Sequence, residues 1–265
     1  MGWSKFKSLL VMHGHRYLDR ASDANSVSEL LDRMKPHHYG FRPIRLGPNA
    51  DGGYVVPDII HRCDVCLSAG VADSIGFELD LFEKFAVPAH LADYSVSQPP
   101  GIPPEFSFTK KFLASYPSAT TMTLDEWIFE QNLDNKRIVL QMDIEGAEYE
   151  TLLNISYEQL RSVDVLVLEI HGFERILSRA FYPIVKALFD RLLTVFNVFH
   201  LHPNNAGSVA RGIKDWEIPS LIEITFVSKE LCRERIPGQI PVLPLSIDYP
   251  NKPNLPDIKL GSPWV

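Results

Sequence analysis

Ile138-Val139-Leu140-Gln141-Met142-Asp143-Ile144-Glu145-Gly146-Ala147-Glu148-Tyr149-Glu150 decides how the rest of the chain is read. Its opening is an apolar run of the kind that forms a strand buried on both faces of a parallel sheet, whose connections are helices. A helical pattern over 147–153 follows at once. Glu148 and Glu150 fall in its first turns, where acids complement the positive end of the helix dipole. Asp143 is different, because it ends a buried strand, where a bare acid is costly unless something pairs with it.

Working outward, strand and helix patterns alternate. Strands are expected over 65–69, 90–93, 106–112, 137–142, 163–170, 198–202 and 220–227, with helices over 74–85, 124–130, 147–153 and about 177–196. Such alternation means an α/β fold, a mostly parallel sheet with helices on both faces. Before it stand two small apolar runs around the turn Asp51-Gly52-Gly53, expected to be short strands leading into the sheet. Two helical patterns, 5–20 and 26–34, give an N-terminal helical extension over 1–40, the second opened by Asn25-Ser26 and closed before Pro36. The main domain is then 41–236, and the Pro-rich tail 237–265 is expected to pack on it in extended form.

The length, 265 residues, suits one large α/β domain with an appendage. With 26 Lys and Arg against 33 Asp and Glu, the net charge of −7 gives no diffuse positive field, which argues against nucleic acid or anionic lipid as the main partner. Three cysteines are too few and odd in number for a disulfide framework, so a reducing, cytoplasmic setting is expected. Cys63 and Cys66 form a C-x-x-C pair, but it runs into a strand, on which residues three apart point to opposite faces, so a structural role is expected. The run Leu9-Leu10-Val11-Met12 ends at His13, far short of a membrane span, and Phe6 stands where a myristoylation signal needs Ser or Thr. In that setting Asn154-Ile155-Ser156 is a sequon without consequence, and homo-oligomerisation stays open.

Ligands of open parallel sheets bind beyond the carboxyl ends of the strands. Gly70 ends the 65–69 run and opens a loop into a helix, whose first N–H groups would face a ligand. Asp93 ends the next run, 23 positions on, where an acid commonly accepts hydrogen bonds from a ribose. Glu169 and His171 alternate onto one face of a strand end, and His202 and Asn205 close the 198–202 run. Acid and imidazole on neighbouring strand ends suit a metal site, or a general base with its orienting partner.

The string from Asp51-Gly52-Gly53-Tyr54, through Ser68-Ala69-Gly70 with Phe77-Glu78, to Asp143-Ile144-Glu145-Gly146-Ala147-Glu148 resembles the FkbM-like family of S-adenosylmethionine-dependent methyltransferases. Glu169-Ile170-His171 and His202-Pro203-Asn204-Asn205 are similar to segments of that family. The resemblance implies a class I methyltransferase, Rossmann-like sheet of seven strands with the last one antiparallel. It also implies that Ser68, Gly70, Asp73 and Glu78 hold the methionine part of the cofactor, that Asp93 holds the ribose, and that Asp143 faces the transferred methyl. Ala69, Val71 and Ala72 stand where common methyltransferases carry further glycines.

The reaction expected is O-methylation of a carbohydrate or glycoconjugate hydroxyl, a class this family often serves. Alternatives are a polyketide, lipid or other small-molecule oxygen, or a non-catalytic nucleotide-binding or assembly module. A hydroxyl needs help to become a nucleophile. Asp143, His171 and His202 are the candidate catalytic residues, His171 or His202 serving as base. Alternatively a divalent cation, Mg²⁺ or Mn²⁺, held by Asp143, Glu169 and His171 would acidify it.

Overall fold

A computed structural model of the chain describes residues 19–72, 74–99, 101–232, 241–261 and 264. In chain order they form α1 (Ala24–Arg33), β1 (Pro43–Leu46), β2 (Tyr54–Pro57), β3 (Val65–Ala69), α2 (Gly76–Phe85), β4 (Ala89–Ala92), β5 (Ser107–Thr109), β6 (Phe112–Leu113), β7 (Thr121–Met122), α3 (Leu124–Glu130) and β8 (Ile138–Met142). They continue with α4 (Glu148–Asn154), α5 (Tyr157–Ser162), β9 (Val163–His171), α6 (Tyr182–Val195), β10 (Phe196–Pro203), β11 (Val209–Arg211), β12 (Glu217–Pro219) and β13 (Leu221–Ser228).

Seven strands make one sheet in the order β10-β13-β9-β8-β3-β4-β5. Neighbours from β9 to β5 are parallel, and β13 is antiparallel to both β9 and β10. This is the Rossmann-like methyltransferase arrangement expected above. The chain leaves β3 toward β4 on one side and returns to β8 on the other, so the strand order reverses at β3. A crevice opens at such a point beyond the carboxyl ends, here those of β3 and β8.

The sheet is buried on both faces because its central strands are apolar at every alternation. Leu140 and Leu168 face a layer containing Trp127, Leu152, Leu188 and Phe189, while Val139 and Val167 face Tyr54, Val56, Phe77 and Leu81. Val27, Leu30, Leu31 and Met34 of α1 lie in the first of these layers, so this helix is packed into the main core. The first expected N-terminal helix, over 5–20, lies outside the described residues but for its end. β1 and β2 form a two-stranded hairpin of their own laid across the sheet, tied to it by the Thr225 hydroxyl donating to the Val55 carbonyl (2.7 Å).

Local chemistry sets the element ends. Asp23, not Asn25 or Ser26, caps α1, accepting from the Ser26 N–H (2.9 Å). Thr123 and Glu126 form a reciprocal capping box on α3. α6 begins at Tyr182 rather than near 177, because Pro183 favours the first helical turn and a 3₁₀ turn, Phe173–Leu177, uses the residues before it. The expected strand over 106–112 is two strands: past Lys110-Lys111 the chain leaves the sheet, and β6 pairs with β7.

Cys63 and Cys66 are buried in the same apolar cluster, not on opposite faces, because Cys63 precedes β3 and is free of strand alternation. Both thiols are unbridged, and burial pushes both well up. Among the described residues no helix is long and apolar enough to cross a membrane.

Candidate active site at the ends of β3, β8 and β9

Gly70 turns at φ +81° directly after β3, its N–H donating to the Ala92 carbonyl (3.0 Å). The Asp143 N–H donates to the Ala69 carbonyl (3.0 Å), and this brings the two strand ends so close that a Cβ on residue 70 would overlap the Asp143 carbonyl. Only glycine satisfies both the left-handed backbone and the close approach. The junction forms the wall of a cavity of about 170 Å³. Val71, Ala72, Ser74, Phe77 and Glu78 line it from the loop and α2, Gln141 and Asp143 from β8, and Asp51, Gly52 and Tyr54 from the hairpin.

Ser68 does not line the cavity; it lies beneath, its hydroxyl between the Glu78 carboxyl and the Gln141 side-chain oxygen (2.7 Å). Burial pushes the Glu78 carboxyl up, with the Ser68 hydroxyl opposing. Asp93 is buried at the end of β4, one oxygen accepting from the Ala72 N–H (3.0 Å) and the other from the Ser95 N–H and hydroxyl (2.7 Å each). It therefore braces the loop that follows Gly70 without lining the cavity. Asp73 lies outside the described residues.

A family model described as the Methyltransferase FkbM domain matches residues 20–197. The chain belongs to the FkbM methyltransferase family. Among curated proteins no match is found. Among solved structures, one from Shewanella sp. PV-4 ascribed to riboflavin biosynthesis shares 12% identity over 64% of this chain and 77% of its own. The TM-score of that pair is 0.24.

Beside the cavity of this FkbM methyltransferase, His171 at the tip of β9 stands among four carboxyl groups. Its Nε2 is 3.3 Å from Glu145 Oε2, 3.8 Å from Asp143 Oδ1 and 3.9 Å from Glu169 Oε1. Its Nδ1 meets Glu148 Oε1 at 3.1 Å. Glu148 is completely buried, and the same oxygen accepts from the Ile144 (3.0 Å) and Gly146 (3.1 Å) N–H groups. Helix-dipole complementarity is thus not its main office: Glu148 fastens the loop and fixes the imidazole with Nε2 toward Asp143 and Glu145.

Burial alone would lower the His171 pKa, but its contact with Glu148 and the nearby charges of Asp143 and Glu169 override it and raise it to about 9. Burial first, then the Asp143 and Glu223 charges, pushes the Glu169 carboxyl up to about 9. Burial raises Asp143 to about 7, against the pull of His171.

Of the expected metal set, Asp143 and His171 come together, and Glu169 stands behind them with both oxygens accepting from Asn204 Nδ2 (3.1 Å each). Glu145 takes the third place: ligand atoms of Asp143, Glu145 and His171 lie within 4.8 Å of one another. His202 is not brought to the cavity. It is buried between Glu223 Oε2 (3.4 Å) and Asp257 Oδ2 (3.3 Å), third in the cross-strand row Glu169, Glu223, His202. Glu223 overcomes the effect of burial and raises its pKa to about 9. Asn205 faces away as well, holding carbonyls of residues 252, 255 and 256.

Sequence reasoning assigned no role to Asp51, Tyr54, Glu145 or Asn204, and explained Glu148 by the dipole alone. The signal available was position: Glu145 and Glu148 share a block with Asp143, and Asp51 to Tyr54 belong to the string that carried the resemblance.

Proposed function

We propose that the chain is an S-adenosylmethionine-dependent O-methyltransferase whose acceptor is a carbohydrate or glycoconjugate hydroxyl. The observation that carries the cofactor reading is the Gly70–Asp143 junction, a cradle that a single Cβ would fill, opening on a cavity at the switch point of a class I sheet. When bound, S-adenosylmethionine supplies an electrophilic methyl on a cationic sulfonium. Asp143, which lines the cavity, and the exposed Glu145 beside it place carboxyl groups at the rim, chemistry suited to such a group. Gly70, Ser74 and Glu78 would hold the methionine part, and Asp93 would reach the ribose if Ser95 yields its oxygen.

His171 Nε2 then takes the acceptor's proton, with Glu148 at Nδ1 fixing the ring and stabilising the imidazolium. Its raised pKa makes it a strong base that must first lose its own proton. Aligning hydroxyl, methyl and sulfur in line is the remaining task. The acceptor reading rests on the family's frequent service in glycan and natural-product tailoring, with a polyketide, lipid or other small-molecule hydroxyl as the alternative. Unbridged cysteines support a cytoplasmic setting. The non-catalytic alternative leaves the His171 and Glu148 arrangement unused.

A second reading is favoured by the close set Asp143, Glu145 and His171, which fits a divalent cation such as Mg²⁺ or Mn²⁺. It would acidify the acceptor hydroxyl, with Glu148 as the carboxylate behind the histidine ligand.

Calorimetry with S-adenosylmethionine and its demethylated product tests the cofactor assignment. Binding of both, weakened in Asp93→Ala, is expected. No binding at millimolar ligand, or unchanged binding by Asp93→Ala, overturns it.

A further inference from the structure

Residues 198–265 lie beyond the family match, yet one of them reaches the wall of the cavity. The Asp51 N–H donates to the Asn251 carbonyl (3.2 Å), and Asn251 Nδ2 donates back to Asp51 Oδ1 (3.1 Å). The same amide donates to Glu223 Oε1 (2.5 Å). Asn251 and Glu223 are 4% and 6% exposed, so the bond between them forms away from water, where losing the amide leaves the Glu223 carboxylate desolvated; Asp51 is itself exposed, and its bond from Asn251 fixes which way its carboxylate turns.

Asn251 is itself held from behind. His200 Nε2 meets Asp248 Oδ1 at 2.8 Å on one side, and His202 meets Asp257 on the other. Between them the Lys252 N–H donates to Asn205 Oδ1 (2.8 Å). The segment from 248 to 257 is thus latched to β10 at two points and to the turn just past it at a third, and its middle is aimed at the hairpin.

The hairpin loop needs such a hold. It has no place in the main sheet, and its Asp51 and Gly52 form one wall of the cavity opposite Gln141 and Asp143 of β8. On its other side the loop is fixed by the Arg45 guanidinium on the Pro48 (2.9 Å) and Ala50 (3.1 Å) carbonyls. Those bonds fix the backbone before Asp51 but leave its carboxylate free to turn. The two-way clasp with Asn251 fixes both.

We propose that Asn251 is a positioning residue of the cofactor cavity, holding the Asp51–Gly52 wall in place, so that the C-terminal strap 248–257 is part of the methyl-transfer site. This rests on the reading that the cavity takes S-adenosylmethionine. The consequence is a loss in cofactor binding rather than in the chemical step, because Asn251 touches neither His171 nor Glu148.

The test uses the full chain, with demethylated cofactor in calorimetry and S-adenosylmethionine in steady-state kinetics. Asn251→Ala, at a temperature where its unfolding transition shows it folded, is expected to bind the product about tenfold more weakly, the effect of one lost bond to a charged group. KM for S-adenosylmethionine should rise in step while kcat at saturation stays within about threefold of the parent. If Asn251→Ala does not fold, Asn251→Ser is read by the same criteria. Parent-like affinity in a folded variant, or a fall in kcat with KM unchanged, overturns the proposal. A parent protein that binds no product sinks the cofactor reading itself, a different result from a binding parent whose variant binds equally well.

Discussion

Gly70→Ala strikes the junction on which the cavity depends. The added Cβ would lie 2.6 Å from the Asp143 carbonyl carbon, overlap the carbonyl oxygen and come within 3.3 Å of Ile144 Cγ2. The first two neighbours are backbone, so relief requires the ends of β3 and β8 to separate. Two 3.0 Å hydrogen bonds meet there, Gly70 to Ala92 and Asp143 to Ala69, and at about 1 kcal/mol each they are the bonds at risk. Holding alanine at φ +81° adds about 1–2 kcal/mol. The sum, about 3–4 kcal/mol, corresponds to a fall in Tm of roughly 6–16 °C for a domain of this size. Gly40→Ala supplies the control: its φ of +87° carries the same backbone cost, but nothing lies within 4 Å of its Cβ. Thermal unfolding of the two variants, with and without demethylated cofactor, separates strain from overlap. Gly70→Ala should lose more stability than Gly40→Ala and lose the stabilisation by ligand. Equal Tm values for the two, with ligand stabilisation intact in Gly70→Ala, would refute the close-approach argument.

If His171 is the base, kcat/KM in excess chelator should rise with pH to a limb near 9, because the ring must be neutral to accept a proton. Glu148→Gln should move that limb downward, and a limb that stays put would remove Glu148 from the role assigned to it. Stability in chelator should fall between pH 7 and 10: folded His171 and Glu169 keep protons up to about pH 9 that the unfolded chain has already released, so deprotonation favours unfolding. A Tm that climbs over that range would contradict the assigned directions. If a divalent cation is used, chelation followed by add-back of Mg²⁺ or Mn²⁺ should restore turnover, with Glu145→Ala losing the response and Glu169→Gln keeping it. Full turnover in excess chelator would rule out that reading.

Local pattern was enough to mark most strands of the main sheet and the order of elements along the chain. Apolar runs such as 138–142 and 65–69 are long enough, and bounded sharply enough by Gly70 and Asp143, that local pattern is sufficient to mark strands and their ends. The end of 106–112 and the start of α6 were less legible, because pairing of β6 with β7 and the fit of Pro183 to a first turn depend on neighbours far along the chain. At the candidate site, the strand-end rule pointed to Gly70, Asp143, Glu169 and His171, which do stand at the ends of β3, β8 and β9, because position relative to a strand is a local property. Which acid faces which nitrogen is not local. Glu148 and His171 are 23 residues apart, Asn204 and Glu169 are 35 apart, and Asn251 and Asp51 are 200 apart. Only the packed structure decided that Glu148 is a buried partner rather than a dipole complement, that Glu145 displaces Glu169 at the front, and that His202 turns to Glu223 and Asp257. The physical reason is that hydrogen-bond partners of buried charges are chosen by which elements the core brings together, and residue type alone does not carry that distance.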